Sequence, residues 1–456
     1  MKQLLLASPR NQHSALQALL GKLNCKAHLA VNMKSAFAVA VQEAHPMPIC
    51  QVPKIASLSD EESPPYPYQK MFAEAKDDTL VILHTSGTTA VPKPITYTND
   101  WVAAYIQALR TQPTQKDPMW EMKHLHLSGN RLLVMMPPFH AANIFCTSFI
   151  AVAKETTIIL PPANLPPAVE VFLGAIKNIH VNTAFVPPHL ISAIATNQSY
   201  LNITASKLET LISGGGKVVE PHGDIVSSKV RLAMLYGATE IGSIPDIMPC
   251  QRSNDLWNYI KPHPAAMWQF RLHKMNEGEK IYEAWITKAN SLINEPPVFK
   301  IYQDRNEYFT RDLFVEHPKV QGFWKWYGRI DDTICLRTGA NVSPNLMENG
   351  LSELPFIQGV LMVGNGCPRP ILLIEPRAAY HPAMAKAELL IQVWNSVERL
   401  NDHYFTDHTI LRSHVILTDA GKPMIRSLKG SIQRSATVSL YESDIKRISG
   451  GFEDSV

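Results

Sequence analysis

The feature that most constrains this fold is a regular alternation of apolar runs and helical patterns between residues 131 and 240. The apolar runs typical of buried strands are RLLVMMPP, ETTIILPPA, HVNTAFVPP, LETLISGGG and VRLAMLYGATE. Segments with helical periodicity, VEVFLGAIKNI and HLISAIATN, lie among them. Short buried strands that alternate with helices favour a parallel sheet covered by helices. The sequence therefore predicts an α/β fold.

Polar loops follow the apolar runs, at residues 84–93, 137–143, 213–216 and 236–240. In open α/β sheets, ligands gather at the carboxyl ends of the strands. We therefore expect these loops to share one rim of the molecule and to form its binding site.

The pattern changes after YGRIDD, residues 327–332. A smaller α+β pattern follows, with a hairpin formed by GVLMVG and PILLIEP, a helix within 383–400, a strand HVILTD and a final helix near 435–447. The chain has 456 residues, which is more than one ordinary core accommodates. We expect a large N-terminal domain of parallel or mixed sheets covered by helices over residues 1–330, and a small α+β domain over residues 331–456.

Composition excludes several classes of function. The net charge of +3 is too small to indicate a nucleic-acid partner or an anionic membrane surface. No run reaches the roughly 18 apolar residues that a membrane helix needs. The six cysteines are scattered without a CxxC pair, which favours free thiols over a zinc site or a disulfide framework. We expect a cytoplasmic protein.

The loop HTSGTTAVPKP, residues 84–94, has the composition of a phosphate-binding turn. Hydroxyl side chains, a glycine and a lysine accompany backbone N–H groups, and together these suit a polyphosphate. The Walker pattern GxxxxGK[ST] is absent. The alternative is a polar connection between two elements.

Further segments carry isolated polar residues. LYGATE, residues 235–240, combines an aromatic ring that could stack on a base with Glu240, whose oxygens could bind Mg²⁺. YFTRDLF places Asp312 between aromatic residues, where a carboxylate could accept both hydroxyls of a ribose. Alone, Glu240 could equally be a helix cap or a solvated charge, and Asp312 a turn residue. GRIDD, residues 328–332, lies at the expected domain boundary.

The order and spacing of these segments resemble the adenylate-forming superfamily, which includes acyl-CoA synthetases, adenylation domains of nonribosomal peptide synthetases and luciferases. The resemblance spans residues 84 to about 445. SPRN (8–11), YPY (66–68), YGATEIGSIP, KGSIQR and LYESDI are similar to fungal peptide-synthetase-like adenylation domains, which act in secondary metabolism.

The resemblance implies ATP and Mg²⁺ as cofactors, a C-terminal domain that acts as a rotating lid, and a carboxylate substrate that attacks the α-phosphate to give acyl-AMP and pyrophosphate. It implies phosphate contacts from the 85–93 loop, at Thr85, Ser86, Gly87, Thr88, Thr89 and Lys93. It implies adenine contacts from Gly214, Gly215, Gly216, Tyr236 and Gly237. It also implies α-phosphate contact by Thr239, Mg²⁺ binding by Glu240, ribose contact by Asp312 and Arg329, and a hinge at Asp331.

The sequence departs from the family pattern at two of these motifs. Ala90 stands where the family usually has glycine, and an alanine forced to positive φ would cost about 1 kcal/mol. In the lid motif, SLKGSIQR, strict register puts Ser431 at the lysine position. We expect Lys429 to be the catalytic lysine of the lid, and Lys422 to face solvent.

The two ends of the sequence also differ from the family. Only 83 residues precede the phosphate loop, so we expect some N-terminal elements of the usual fold to be missing. Ser455 in GGFEDSV superficially resembles the attachment serine of a carrier, but we do not expect it to serve as one.

The substrate expectation depends on PPFHAAN, residues 137–143, which resembles the loop that closes the acyl pocket. Amino-acid-activating relatives have an aspartate where this chain has His140, and a buried ammonium without a partner is costly. We therefore expect an aryl, α-keto or other amine-free acid. His140 could instead be a packed aromatic gate. The expected pocket wall includes Val186, Pro187, Ser213 and Ile244.

Three hypotheses follow. The first is an enzyme that adenylates a carboxylic acid and passes the acyl group to a carrier protein or another acceptor in trans. The second is a free-standing acyl-CoA or amide ligase, with CoA or an amine as acceptor. The third is a truncated, catalytically silent paralogue that only binds nucleotide or a partner.

Overall fold

The computed structural model shows an α/β protein in which sheets and helices form separate layers. It describes residues 3–9, 11, 13–53, 67–85, 92–112, 120–123, 131–162, 165, 167–276, 279–289, 295–338, 340–378, 380, 386–402, 409–426 and 430–450. Among these residues, no helix combines the length and the apolarity needed to cross a membrane.

The N-terminal segment supplies small elements and one hairpin. Its helices are His13–Lys22, Ala36–Ala44, Phe72–Ala75 and Asn99–Leu109. Its strands are β1 (His28–Ala30), β2 (Ile49–Gln51), β3 (Thr79–Thr85) and β4 (Lys93–Thr98). Strands β3 and β4 are antiparallel, so the phosphate-type loop joins two strands of a hairpin and does not lead directly into a helix.

Within the described residues, five parallel strands form the sheet that the sequence predicts. They are β6 (Arg131–Val134), β7 (Thr157–Ile159), β8 (Thr183–Val186), β9 (Thr210–Gly214) and β10 (Arg231–Leu235). Their spatial order is β10-β9-β8-β6-β7. The predicted α/β class is confirmed by this arrangement.

Side chains alternate between two apolar clusters, one on each face of this sheet. Leu211 belongs to one cluster, and its neighbour Ile212 belongs to the other. The first face packs against the helices Val169–Asn178, Pro188–Ala195, Gln198–Lys207 and Glu220–Ser227. The second packs against Asn99–Leu109, Ala141–Ile144 and the π-helix Phe145–Ile150. Ala151–Ala153 continues the π-helix.

Seven strands of the described chain form a second, antiparallel sheet. They are β5 (Trp120–Met122), β13 (Asp246–Pro249), β14 (Tyr259–Pro262), β15 (Trp268–Asn276), β16 (Glu279–Thr287), β17 (Glu307–Glu316) and β18 (Trp324–Arg329). The segment YFTRDLF lies within β17, so Asp312 is a strand residue and not a turn residue. A short hairpin, β11 (Gly237–Ala238) and β12 (Gly242–Ser243), lies between the two sheets in sequence.

Short helical segments lie in the large domain at Pro264–Ala266 and Val298–Ile301, and a third, Ile330–Asp332, lies at the expected domain boundary.

The small C-terminal domain is built on a mixed sheet. The strands of this sheet are β21 (Ile357–Val363), β22 (Ile371–Pro376) and β23 (Val415–Leu417). Strands β19 (Ile334–Cys335) and β20 (Asn341–Val342) form a separate antiparallel pair. Strands β21 and β22 form the predicted antiparallel hairpin, and β23 adds in parallel.

The helical segments of this domain are Asn345–Ser352, Lys386–Asn401, Arg412–His414, Arg434–Leu440 and Glu442–Gly450. The predicted single terminal helix is thus interrupted at Tyr441. The division at about Asp331 remains a proposal.

Candidate active site

Asp312 lies within β17, and side chains from other strands and loops hold its carboxylate. The Tyr236 hydroxyl donates to Oδ2 over 2.5 Å, and the Trp326 indole donates from Nε1 to Oδ1 over 3.1 Å. Arg329, the register partner of Asp312 on β18, has its Nε 3.8 Å from Oδ1. Burial raises the pKa of Asp312, and these neighbours oppose that rise because they favour the carboxylate form. The carboxylate keeps lone pairs for further hydroxyl donors, such as those of a ribose.

Tyr236 follows β10, and its ring packs in an aromatic cluster. Trp268 and Phe314 meet the ring edge-on at centroid distances of 5.2 and 5.4 Å. Tyr236 is only partly buried, and Gly237 beside it is exposed. This position would let an aromatic base stack on Tyr236 while its hydroxyl holds Asp312.

Glu240 sits at the tip of the β11–β12 hairpin, next to Thr239. Burial raises the pKa of Glu240, the positive charges of Arg329 and Lys93 oppose that rise, and the charge of Asp312 adds to it. Glu240 lies at a hairpin tip, whereas Lys93, Asp312 and Arg329 lie in strands β4, β17 and β18. The fold therefore brings the adenine-type, ribose-type and phosphate-type segments into one electrostatic environment.

The fit of Mg²⁺ depends on the donors that the site offers. Among the described residues, no cluster of three or more His, Cys, Asp or Glu side chains could hold a metal. Mg²⁺ in nucleotide sites commonly uses one or two carboxylates and completes its octahedron with phosphate oxygens and water. Glu240 would fit that pattern as a single carboxylate ligand if phosphates were bound beside it.

The phosphate-type loop is described only at its two ends. Thr85 and Lys93 are register partners at the loop end of the β3–β4 hairpin. The intervening candidates lie outside the described residues: Ser86, Gly87, Thr88, Thr89 and the departure at Ala90.

The glycine run after β9 serves two steric requirements. A Cβ on Gly214 would lie 2.8 Å from the Leu235 carbonyl oxygen and 3.1 Å from the Phe185 ring. Gly215 has φ +81°, a conformation that favours glycine. A Cβ on Gly216 would lie 3.3 Å from the Ser431 hydroxyl. The run therefore permits close approach both within the large domain and by the lid.

His140 caps the N-terminus of the helix Ala141–Ile144. Its Nδ1 accepts from the Ala142 N–H over 3.1 Å. Because an accepting Nδ1 carries no proton, the neutral ring has its proton on Nε2. His140 therefore has a polar structural role, which the interpretation as a packed gate did not include.

The structure places two residues of the expected pocket wall, Val186 and Ser213, on the sheet face opposite the His140 side. The helix that His140 caps packs on the sheet face that carries Phe185 and Ile212. Val186 lies in the cluster on the opposite face. Ser213 follows Ile212 in the strand, so its side chain points away from the His140 side because strand residues alternate. Ser213 is fully buried, and its hydroxyl has no hydrogen-bond partner among the described residues.

The lid approaches the large domain through the loop that follows Lys429. Lys429 itself lies outside the described residues. Gly430 has φ +82°, and a Cβ there would lie 3.3 Å from Nδ1 of His189. Ser431 meets Gly216, as described above. Lys429 is therefore the residue immediately before one that approaches the large domain, since Gly430 lies against His189.

Lys422 is engaged within the lid and does not simply face solvent. Its Nζ lies 3.0 Å from Asp444 and 4.3 Å from the centre of the Tyr441 ring. The Tyr441 hydroxyl also donates to the Lys422 carbonyl. These contacts attach the turn that carries Lys422 to the terminal helices.

Asp331 lies between arginines at the start of the lid. Arg311 approaches one carboxylate oxygen at 3.1 Å, and Arg329 approaches the other at 3.3 Å. The next residue, Asp332, pairs with Arg434 at 3.3 Å, and Arg434 also pairs with Glu348 at 2.8 Å. Charged pairs therefore link both sides of the expected hinge.

Sequence reasoning missed Trp326 as a partner of Asp312. The segment WKWYGR has the aromatic content of a strand, but nothing in it indicates which carboxylate an indole N–H would reach. That contact depends on the register between β17 and β18, which is shifted between Leu313 and Phe314.

Comparison with known proteins gives matches over most of the chain. The family described as AMP-binding enzyme matches residues 4–264, and the AMP-binding enzyme C-terminal domain matches residues 331–453. A carboxylic acid reductase of Neurospora crassa is 29% identical over 86% of this chain and 36% of its own length. An adenylate-forming reductase, Nps10, of Heterobasidion annosum is 27% identical over 97% of this chain and 40% of its own length.

Solved structures show the same fold. The ATP-bound MatB of Rhodopseudomonas palustris superposes with a TM-score of 0.66 at 15% identity, covering 96% of this chain and 83% of that one. This likeness shows the fold alone. The chain spans well under half the length of the two curated relatives, at 36% and 40%. The matching family covers more than half of this sequence, and the chain therefore belongs to the AMP-binding, adenylate-forming enzyme family.

Proposed function

We propose that this chain adenylates a carboxylic acid with ATP, giving acyl-AMP and pyrophosphate. One observation carries the proposal: Asp312, Tyr236 and Glu240 come from separate segments yet share one environment with Arg329 and Lys93. Such a cluster offers a carboxylate for ribose, an aromatic ring for a base, a metal ligand and positive charge for phosphates.

In the proposed reaction, a carboxylate oxygen of the acid attacks the α-phosphorus of ATP. A new O–P bond forms, and the bond between the α-phosphorus and the bridging oxygen breaks, so pyrophosphate leaves with that electron pair. Lys93 and Thr85 would hold phosphate oxygens, and Thr239 would meet the α-phosphate. Most of the rate enhancement would come from in-line positioning and charge stabilisation. Mg²⁺ bound beside Glu240 would neutralise phosphate charge.

We assign the lid a part in the same step. Lys429 would extend into the cleft when Gly430 and Ser431 lie against His189 and Gly216, as they do here. Its ammonium would then stabilise the charge that moves between the carboxylate and the α-phosphate. Asp331 would serve as the hinge, with its arginine pairs exchanged when the lid rotates.

We further propose an amine-free acid as substrate, such as an aryl or α-keto acid. His140 offers no negative charge to an ammonium. The acyl group would pass to a carrier protein, CoA or an amine supplied in trans. The names of the fungal relatives, which include reductases and a synthetase hybrid, support a carrier thiol as the first acceptor to test.

Acid-dependent exchange of labelled pyrophosphate into ATP tests the proposal. The expected result is exchange with some aryl or α-keto acids and none with their α-amino counterparts of equal size. Adding CoA, amines or a carrier domain to the active acid then identifies the acceptor. Absence of exchange with every acid, together with intact nucleotide binding, would favour a silent nucleotide-binding protein.

A further inference from the structure

A stack of buried aromatic side chains connects the segment after the phosphate loop to the hairpin that carries Glu240. Tyr97, Trp101 and Tyr105 are spaced four residues apart and are fully buried. Tyr97 and Trp101 stack with ring centroids 4.0 Å apart and planes 11° apart, and Trp101 and Tyr105 follow at 5.3 Å and 25°.

Local sequence explains why these rings align. Thr98 caps the helix Asn99–Leu109 by accepting from the Trp101 N–H over 3.2 Å. Residues four apart lie on one side of a helix, so Trp101 and Tyr105 project together, and Tyr97 precedes them from the end of β4. Phe145 packs against the same stack, with its ring centroid 5.2 Å from that of Tyr105.

Each polar group of the stack bonds to the hairpin, but at chemically different places. The Tyr97 hydroxyl donates to the Thr239 carbonyl over 2.5 Å. The Trp101 indole N–H donates to the Glu240 carbonyl over 3.3 Å. The Tyr105 hydroxyl instead bonds to the Ser243 hydroxyl over 2.6 Å. The first two bonds therefore fix the backbone at the tip of the hairpin, and the third fixes its return strand.

The hairpin cannot move away from the stack without loss of packing. Gly242 has φ +74°, and a Cβ there would lie 2.6 Å from the Tyr105 ring. A Cβ on Gly237 would lie 2.5 Å from the Gly242 carbonyl oxygen. Glycine at both positions allows the hairpin to lie directly on the aromatic rings.

The same chain segment also carries Lys93. Strand β4 begins at Lys93 and leads through Tyr97 into the helix that carries Trp101. The charge of Lys93 acts on Glu240, as noted above. Burial, and then the charge of Glu240, raise the pKa of Tyr97, so its hydroxyl keeps its proton and remains a donor.

We propose that Tyr97 and Trp101 are positioning residues that hold the backbone of Thr239 and Glu240 so that the Glu240 carboxylate and Lys93 keep a fixed separation across the bound triphosphate. This inference rests on the proposed function, because it assumes that Glu240 binds the metal. Neither side chain needs to touch the nucleotide.

The test measures metal binding, with no acid substrate required. Mn²⁺ binding to the complex of the full chain with α,β-methylene-ATP, an analogue that cannot be cleaved, is followed by electron paramagnetic resonance. Tyr97→Phe and Trp101→Phe should each weaken Mn²⁺ binding by about 10-fold, the scale seen when groups that orient metal ligands are lost. Tyr105→Phe is the matched control, because it removes a buried hydroxyl of the same stack but frees neither tip carbonyl. The Mn²⁺ affinity of Tyr105→Phe should stay within about twofold of wild type, because this variant keeps both groups that orient the backbone of the metal ligand.

Thermal melting of every variant separates folding from positioning. If Tyr97→Phe and Trp101→Phe bind Mn²⁺ as wild type does, or if Tyr105→Phe weakens binding equally, the inference is wrong. Glu240→Gln identifies which level has failed. If Glu240→Gln loses Mn²⁺ binding but Tyr97→Phe and Trp101→Phe keep it, only the positioning role of the aromatic pair is contradicted. Wild-type Mn²⁺ binding in Glu240→Gln would contradict the metal assignment in the proposed function, and the positioning inference with it.

Discussion

The Tyr236 hydroxyl donates to the Asp312 carboxylate over 2.5 Å, although 76 residues separate the two along the chain. Tyr236 follows the last strand of the parallel sheet, and Asp312 lies in the antiparallel sheet. The bond therefore joins the two large sheets where the ribose and base of a nucleotide would lie.

Replacement of Asp312 should weaken nucleotide binding. Asp312→Asn removes the negative charge that would accept ribose hydroxyls, and loss of a charged hydrogen bond should reduce ATP affinity by about 10- to 100-fold. Glu307→Gln, an exposed change on the same strand, is the matched control and should leave affinity unchanged. Calorimetric titration with ATP measures both, and equal affinities for Asp312→Asn and wild type would exclude the ribose role.

The ionised Glu240 side chain should destabilise the protein at neutral pH when neither metal nor nucleotide is bound. Its pKa in the folded state is raised, first by burial, so the unfolded chain loses the proton at a lower pH than the folded chain does. Without metal or nucleotide, Glu240→Gln should therefore raise the melting temperature at pH 7. The gain should shrink as the pH falls through the raised pKa and vanish below the ordinary carboxyl pKa. A gain that persists at low pH would show that charge is not its cause.

Glu220 provides a control of opposite sign. Burial works against its charged form, but Lys325 and Lys217 outweigh burial and lower the pKa of Glu220. Its ionised form therefore stabilises the fold above the ordinary carboxyl pKa, and this contribution is lost as the pH falls through the lowered value. Glu220→Gln should lower the melting temperature at pH 7 and approach wild type in acid.

Replacement of Lys429 should affect the adenylation rate, whereas replacement of Lys422 should affect the melting temperature. Lys429→Ala should slow adenylation by about 10²-fold or more, as expected when a preorganised charged donor to the transition state is lost. Lys422→Ala should slightly lower the melting temperature because it removes the contacts to Asp444 and Tyr441, with little change in rate. Rapid-quench measurement of acyl-AMP formation distinguishes them, and a dead Lys422→Ala variant would refute the chosen register.

A buried ion pair in the large domain should matter for stability. Lys123 and Asp246 form a salt bridge with side chains 2% and 3% exposed, and the Lys123 ammonium also donates to the Met234 carbonyl. Asp246→Ala would leave a buried charge unpaired, which typically costs about 3–5 kcal/mol in free energy of unfolding.

The double variant Lys123→Met with Asp246→Leu removes both charges and should recover most of that loss. Asp419→Ala breaks an exposed pair with Lys386 and should change stability by less than about 1 kcal/mol. Urea denaturation measures all of these variants. Similar decreases in the free energy of unfolding of Asp246→Ala and Asp419→Ala would contradict the expectation that breaking the buried pair is the more destabilising change.

The parallel sheet could be predicted because its strands are short, continuous apolar runs separated by helical patterns. Thr183–Val186 and Thr210–Gly214 each fall inside a predicted run. The antiparallel sheet could not be predicted in the same way. YFTRDLF lacks the regular alternation of apolar and polar residues that indicates a strand, so a turn remained an alternative for Asp312.

The candidate site could be predicted by residue identity but not by geometry. The loops carrying Tyr236 and Glu240 stood out through their local composition. Trp326 orients Asp312, and Tyr97 and Trp101 orient the hairpin that carries Glu240. Their aromatic side chains are typical of any buried core. Only the register of β17 against β18, and the docking of the hairpin on the aromatic stack, give these residues a place in the site.

The most direct test of adenylation is a single-turnover reaction analysed by mass spectrometry. Excess protein is mixed with ATP, Mg²⁺ and an acid that supports pyrophosphate exchange, and products are quantified with no acceptor present. We expect acyl-AMP and pyrophosphate in equal amounts, and neither product from the Glu240→Ala variant, which should still fold. Hydrolysis of ATP to ADP and phosphate, or equal acyl-AMP from wild type and Glu240→Ala, would contradict this expectation.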